Sequence, residues 1–337
     1  KTTLIKFPEG KTETYTISNN VTTIDGYAFN IVNLTAINVD ANNQNYSSEN
    51  GVLFNKNKTQ LIQYPAGKTL TNYNVMPNSV FTIRQFAFSY CRNLTQVTIG
   101  DSVITIDIYT FYDCNSLTQV TIGDSVEMIG RSAFSHCRSL TSIIIPDSVT
   151  TIGDEAFRDC ITLKNITFGK KLITLGDSLL RNCYNLTTIN VNKDNLNFTS
   201  DNNVLFNKEK TELIRYPQGS SNTEFIIPDG VVVISEDALQ DCVNLTSITL
   251  PDSLIVIDKY SISGCKSLIS ITIPKNVENI GYRAFYRCDS LREINVNKDN
   301  KFFSSDNGVL FDKTKKILMK YPSGKVDTTY NLPNSVK

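Results

Sequence analysis

The chain has 337 residues, 40% of them hydrophobic and 20% charged, with 33 Lys plus Arg balanced by 33 Asp plus Glu. Such a balance supplies no global basic surface to neutralise phosphates, so nucleic acid is not an expected partner. No apolar run approaches the roughly 18 residues that a spanning helix requires, so membrane insertion is not expected within this chain.

Eight cysteines, at positions 91, 114, 137, 160, 183, 242, 265 and 288, set a ruler along the sequence. Six of the seven gaps are 23 residues and the other is 59, which is 23 plus 36. A fixed period over this span marks a repeat protein, whereas a metal site or disulfide framework clusters its cysteines irregularly.

Taken in chain order, residues 2–24 correspond to the second half of a long tile. A degenerate short unit follows, with Ile31 where other units have cysteine. Residues 37–80 form a full long tile. Its landmarks, Gly51-Val52-Leu53-Phe54 and Leu61-Ile62-Gln63-Tyr64-Pro65, flank the polar tract Asn55-Lys56-Asn57-Lys58 and predict a β-hairpin. Short units then run to Cys183, and residues 140–160, LTSIIIPDSVTTIGDEAFRDC, show their grammar. Leu140, Ile143 and Ile145 end in the alternation of a strand with one buried face. Pro146-Asp147-Ser148 is turn chemistry. Val149 and Ile152 make a second short extended segment, which Gly153 breaks. Ala156, Phe157 and Cys160 recur at i, i+1 and i+4 and predict one buried turn of helix. The long tile returns over 189–231, with Asn203 in place of glycine, and again over 294–336, with Gly308-Val309-Leu310-Phe311 and Tyr321-Pro322.

One unit cannot bury its own apolar side chains, so stacking is required, with neighbouring coils about 4.8 Å apart. The expected fold is α/β: a right-handed solenoid of 23-residue coils. A parallel sheet would form one face, short strands and helical turns the other, with hairpin modules inserted. Residues 1–337 are expected to form one continuous array. Neither end shows the atypical cap of a natural array, so a fragment of a longer protein is expected.

The unit, L-x-x-[IV]-x-[IV]-[PG]-x-[SN]-[VL]-x-x-I-[GD]-x-x-A-F-x-x-C, resembles the BspA-like (Treponema pallidum type) leucine-rich repeats over essentially the full chain. The long "GVLF…YP-x-G-K" tile belongs to the same resemblance. It implies a cell-surface or secreted protein of a bacterium or protozoan parasite, acting in adhesion to host matrix or cell-surface proteins. It implies no catalytic residue and no cofactor.

Several groups could carry chemistry. Phe88, Cys91, Phe111, Cys114, Phe134, Cys137, Phe157, Cys160, Cys183, Cys242, Cys265, Phe285 and Cys288 are assigned to the core, the cysteines as a reduced ladder that only packs. Disulfides, a metal chain or redox sensing are the alternatives. His136, the single histidine, sits beside Cys137, which could suggest nucleophilic catalysis. Its slot elsewhere holds Tyr90, Asp113, Asp159, Asn182, Asp241, Gly264 and Arg287, and such variation predicts an exposed position. Asn-Lys-Asp-Asn at 192–195 and 297–300 faintly suggests calcium but lacks the spaced carboxylates, so polar loop tips are expected. Nine Asn-x-Ser/Thr sequons occur, at Asn20, Asn33, Asn45, Asn57, Asn93, Asn165, Asn185, Asn197 and Asn244.

The remaining candidate is the outward side of the main strands: Thr95, Gln96, Thr98, Thr118, Gln119, Thr121, Thr141, Ser142, Thr187, Thr188, Thr246, Ser247 and Thr249. It predicts a flat, polar, almost uncharged face without aromatic anchors. Threonine also simply suits exposed strands. The functional alternatives are a face for a protein, a face for a glycan, or a spacer that presents another domain.

Overall fold

A computed structural model describes residues 2–8, 13–29, 33–74, 76–327 and 329–337. Ile31 lies outside the described residues. Contacts divide the chain into two compact units: Lys1–Tyr184 with Val191–Leu196, and Asn185–Asn190 with Asn197–Lys337.

Each unit is a parallel β-solenoid of roughly 23-residue coils. In the first unit, Gln96–Thr98 lies between Asn72–Tyr73 and Gln119–Thr121, with Gln96 opposite Gln119 and Val97 opposite Val120. Ser142–Ile144 pairs likewise with Asn165–Phe168. The second extended segment forms its own parallel ladder, in which Thr82–Ile83, Thr105–Ile106, Met128–Ile129, Thr151–Ile152 and Thr174–Leu175 follow one another. The second unit repeats both ladders, Glu224–Ile226 with Ser247–Thr249 and Val233–Ile234 with Val256–Ile257.

The long tile holds one strand more than the predicted hairpin. Tyr46–Glu49 pairs antiparallel with Val52–Asn55, which pairs antiparallel with Gln60–Gln63. The copies at Phe198–Arg215 and Phe303–Lys320 repeat this meander. The first connection is a two-residue loop with two left-handed residues, Asn50 (φ 50°) and Gly51 (φ 76°). That is the type I′ hairpin, whose Asn-Gly signature is present at 50–51 and 307–308. Asn202 (φ 49°) and Asn203 (φ 67°) keep the conformation, because asparagine is the non-glycine residue best suited to it.

The expected helical turn is absent: no described residue is helical, so the fold is a β-solenoid and not α/β. The reason is local. The residues before Ala and before Cys in each coil are left-handed, such as Ser132 (φ 52°) and His136 (φ 62°). A left-handed residue every fourth position forbids an α-helix. The amide groups alternate instead. Ala133, Ser135 and Cys137 donate to carbonyls three residues back, at 3.3, 3.1 and 3.2 Å. Ser132, Phe134 and His136 donate to Asp154, Ala156 and Arg158 of the next coil, at 2.9, 2.8 and 2.8 Å. This segment is a third line of coil-to-coil bonding.

Between the ladders lies the core. Phe88, Phe111, Phe134 and Phe157 are fully buried. Their rings stack with centroids 4.8, 5.1 and 5.4 Å apart, matching the coil spacing. In the second unit the same slot holds Leu239, Ile262 and Phe285, all buried.

Candidate ligand-binding face

The alternation of the main strands turns every second side chain outward. Gln96, Thr118, Gln119, Thr121, Thr141, Ser142, Thr187, Ser247 and Thr249 are exposed, while Thr95, Thr98, Thr188 and Thr246 are half-buried. Register brings like groups into rows. Asn72, Gln96 and Gln119 form an amide row in the first unit. In the second, Glu224, Ser247, Ser270 and Glu293 stand side by side. The two glutamates give this face charge at its edges, which the strand grammar did not suggest.

Hydrogen bonding separates two kinds of residue on this face. Thr118 and Thr246 donate their hydroxyls to the carbonyls of Thr95 and Thr223 in the preceding coil, each at 3.0 Å. Thr95 donates similarly to Thr71, at 3.1 Å. These threonines stitch coils together. Gln96, Gln119, Thr121, Ser142 and Thr249 present their groups to solvent.

All eight cysteines are buried and none forms a disulfide, but they do more than pack. The thiols of Cys114, Cys137, Cys160 and Cys183 donate to the carbonyls of Phe88, Phe111, Phe134 and Phe157, at 3.0, 3.2, 3.2 and 3.2 Å. Cys265 and Cys288 do the same to Leu239 and Ile262, at 3.2 and 3.1 Å. The carbonyls of Phe88, Phe111, Phe134, Phe157 and Leu239 already accept an amide within their own turn, and the thiol meets the second lone pair. Burial holds the thiols of Cys91, Cys137, Cys160 and Cys265 well above the usual range, and pushes Cys242 up to about 12 and Cys288 to about 11. Thiolate, the nucleophilic form, is thereby disfavoured.

His136 is half-buried, not exposed. Its Nε2 lies 3.5 Å from Asp159 Oδ2, and Tyr112 meets its ring edge-on at 5.1 Å. Asn182 donates to the other oxygen of Asp159 at 2.9 Å. The slot's varied composition reflects backbone conformation: Asp, Asn and Gly tolerate the left-handed region, a signal the sequence already carried.

The Asn-Lys-Asp-Asn tracts end in buried structural amides rather than polar tips. Asn195 and Asn300 are fully buried, as is Asn43 of the first long tile. Asn300 Nδ2 donates to Pro274 and Val277 at 2.8 and 2.9 Å, and its Oδ1 accepts the amides of Phe302 and Phe303 at 2.8 and 2.7 Å. Lys313 covers the Asn300 carbonyl. No group of three or more acidic, His or Cys residues among the described residues could hold a metal. No helix among them is long and apolar enough to cross a membrane. The nine sequon asparagines are all exposed.

The BspA type leucine rich repeat region matches this sequence in six copies, over residues 6–79, 81–212 and 216–317. The chain belongs to the BspA-type leucine-rich repeat family. The solenoid is similar to that of the pneumococcal vaccine antigen PcpA, with 23% identity and a TM-score of 0.55, covering 75% of this chain and 80% of PcpA. A leucine-rich repeat protein from Bacteroides ovatus is similar at 24% identity and a TM-score of 0.53, covering 85% of this chain and 73% of that one. The T. pallidum leucine rich repeat protein overlays at 20% identity and a TM-score of 0.42, over 68% of this chain and 89% of its own. No curated protein matches the sequence significantly. In this BspA-type chain, family membership accounts for the repeat scaffold. It assigns no ligand.

Proposed function

We propose that this chain is a non-enzymatic, surface-displayed protein-binding module that contacts host matrix or cell-surface proteins through its main strand face. The observation that carries the reading is the row structure: exposed amide and hydroxyl groups held in register from coil to coil in both units. Such a face suits a broad, weakly adhesive contact. Aromatic hot spots are missing from the strand residues named above, so affinity per site should be modest, with many sites acting together. The sequence period, which resumes after each long tile, leads us to treat residues 1–337 as one array.

The test is surface plasmon resonance of the full chain against purified extracellular-matrix proteins, with Gln119→Arg and Thr121→Arg as face variants. Binding that weakens in both variants supports the reading. Binding to none of the proteins, or binding that ignores both variants, overturns it. One observation favours a second reading: the amide row of Asn72, Gln96 and Gln119 offers paired donors and acceptors of the kind that sugar hydroxyls use. A glycan array with hits abolished by Gln119→Arg would move the assignment there.

A further inference from the structure

Where the main strands end, each unit carries a shallow groove. In the first unit it has a volume of about 480 Å³, with Asp124, Ile144, Asp147, Phe168 and Asn192 in its lining. In the second it has about 570 Å³, with Ile226, Asp229, Leu250 and Asp252. The two grooves share a composition. The charged groups in each lining are two aspartates one repeat apart, and no lysine or arginine lines either. Each also holds one prominent isoleucine, Ile144 at 70% and Ile226 at 72% exposure. These isoleucines occupy a strand slot in which their register partners are Thr167 and Thr249.

Internal cations meet one carboxylate of each pair and leave the other without one. Asp147 Oδ1 accepts the Lys170 amide at 2.8 Å and Asn192 Nδ2 at 3.1 Å, and Lys170 Nζ stands 3.9 Å from its other oxygen. Lys275 pairs with Asp252 at 3.1 Å. Asp124 and Asp229 have no ion pair among the described residues.

We propose that both grooves dock one kind of element, resting on the protein-binding reading above: a segment of a protein partner that carries Lys or Arg beside an aliphatic residue. The cation sits against the paired carboxylates, and the aliphatic side chain covers the isoleucine. An anionic ligand would meet uncompensated negative charge at Asp124 or Asp229. A purely polar sugar would leave the isoleucine surface unused, whereas an aliphatic side chain removes that surface from water. The same chemistry in two units gives one chain two grips on a partner with repeated basic segments.

The test uses the full chain and a labelled peptide, Gly-Ile-Lys-Gly-Ile-Arg-Gly, by fluorescence anisotropy. Controls replace the basic residues by Glu, or the isoleucines by Ser. Two double variants remove the proposed contacts, Ile144→Thr with Ile226→Thr, and Asp124→Asn with Asp229→Asn. Neighbouring coils already carry Thr at the first slot and Asn78 at the second, so the fold should tolerate both. The expected result is a Kd raised about tenfold in each double variant and by high salt, with both control peptides weaker still. Absence of peptide binding, equal binding of the Glu peptide, or indifference to both variants overturns the proposal. Self-association lost in the same variants would assign the grooves to a second copy and overturn it too. A matrix protein that binds wild type and both variants equally would overturn the grooves while leaving the module reading intact.

Discussion

Short coils and long tiles solve one problem with different residues. Each coil presents inward-facing carbonyls that the next coil must satisfy. In the short coils, serine and cysteine do this. Ser148 and Ser253 donate to Val126 and Val231 at 2.7 and 2.8 Å, and the thiols serve the aromatic-slot carbonyls. In the long tiles one buried asparagine replaces the serine and reaches two carbonyls of the preceding coil at once. Asn43 serves Ser18 and Val21, Asn195 serves Gly169 and Leu172, and Asn300 serves Pro274 and Val277. The difference teaches that the period in the sequence follows a hydrogen-bonding obligation as well as an apolar one.

The sharpest way to separate the two regions is alkaline pH, because every cysteine lies in a short coil. The folded thiols of Cys91, Cys137, Cys160 and Cys265 titrate well above the unfolded value of about 8.5, with Cys288 near 11 and Cys242 near 12. Below about 8.5 both states hold the proton and the stabilisation is fully present. As pH rises through the interval to the folded value, the unfolded chain has lost protons that the folded chain keeps. Stability therefore falls, by about 1.4 kcal/mol per thiol for each pH unit. Thermal melts between pH 7.5 and 10 should show a steep decline, and hydrogen exchange should rise first in the short coils. A melting temperature that stays flat to pH 10 would contradict the buried, protonated ladder.

Truncating the ring column is next in size. Phe157→Ala should cost about 3–5 kcal/mol, since Phe157 is fully buried and stacks on Phe134 at 5.4 Å. Denaturant melts would measure it. A loss under about 1 kcal/mol would mean that the coils collapse onto the gap.

In the long tile, Asn300→Ala strands two carbonyls and two amides, and about 3 kcal/mol should be lost. Ser148→Ala removes one donor from one carbonyl in a short coil and should cost about 1 kcal/mol. Equal losses at the two sites would refute the assignment of a double duty to asparagine.

The sequence made the repeat, the strand faces and the core column legible, because a 23-residue beat with period-two alternation has few structural solutions. It misleads at Ala156, Phe157 and Cys160, whose helix-like spacing hides the conformation of the residues beside them. Glu155 and Asp159 are both left-handed, with φ of 56° and 59°. Aligning that slot across units exposes its Asp, Asn and Gly bias, which is a backbone signal and not a surface one. The extra strand of the long tile was readable from Asn50-Gly51. Asn300 was not readable, since a buried asparagine with four hydrogen bonds looks the same in sequence as a loop tip. The strand face was legible in outline, but which threonines bond back to the preceding coil depends on coil-to-coil geometry that spacing does not carry.

Within the short coils the thiols themselves divide, and this gives a finer test. Cys137 donates to Phe111 at 3.2 Å, whereas Cys91 follows a long tile and finds Tyr64 and Ser89 only at 4.0 and 3.9 Å. Cys→Ala removes the same atoms from two fully buried sites, so the packing losses are comparable in size. What remains is the thiol bond, and a sulfur donor is weak. Cys137→Ala should therefore cost more than Cys91→Ala by a margin of about 0.5 kcal/mol, the lower end for an intramolecular hydrogen bond. Paired denaturant melts on one background can resolve that margin through the midpoint. If Cys91→Ala proves the costlier, packing against the hairpin outweighs the bond, and the cysteine beat is an apolar ruler after all.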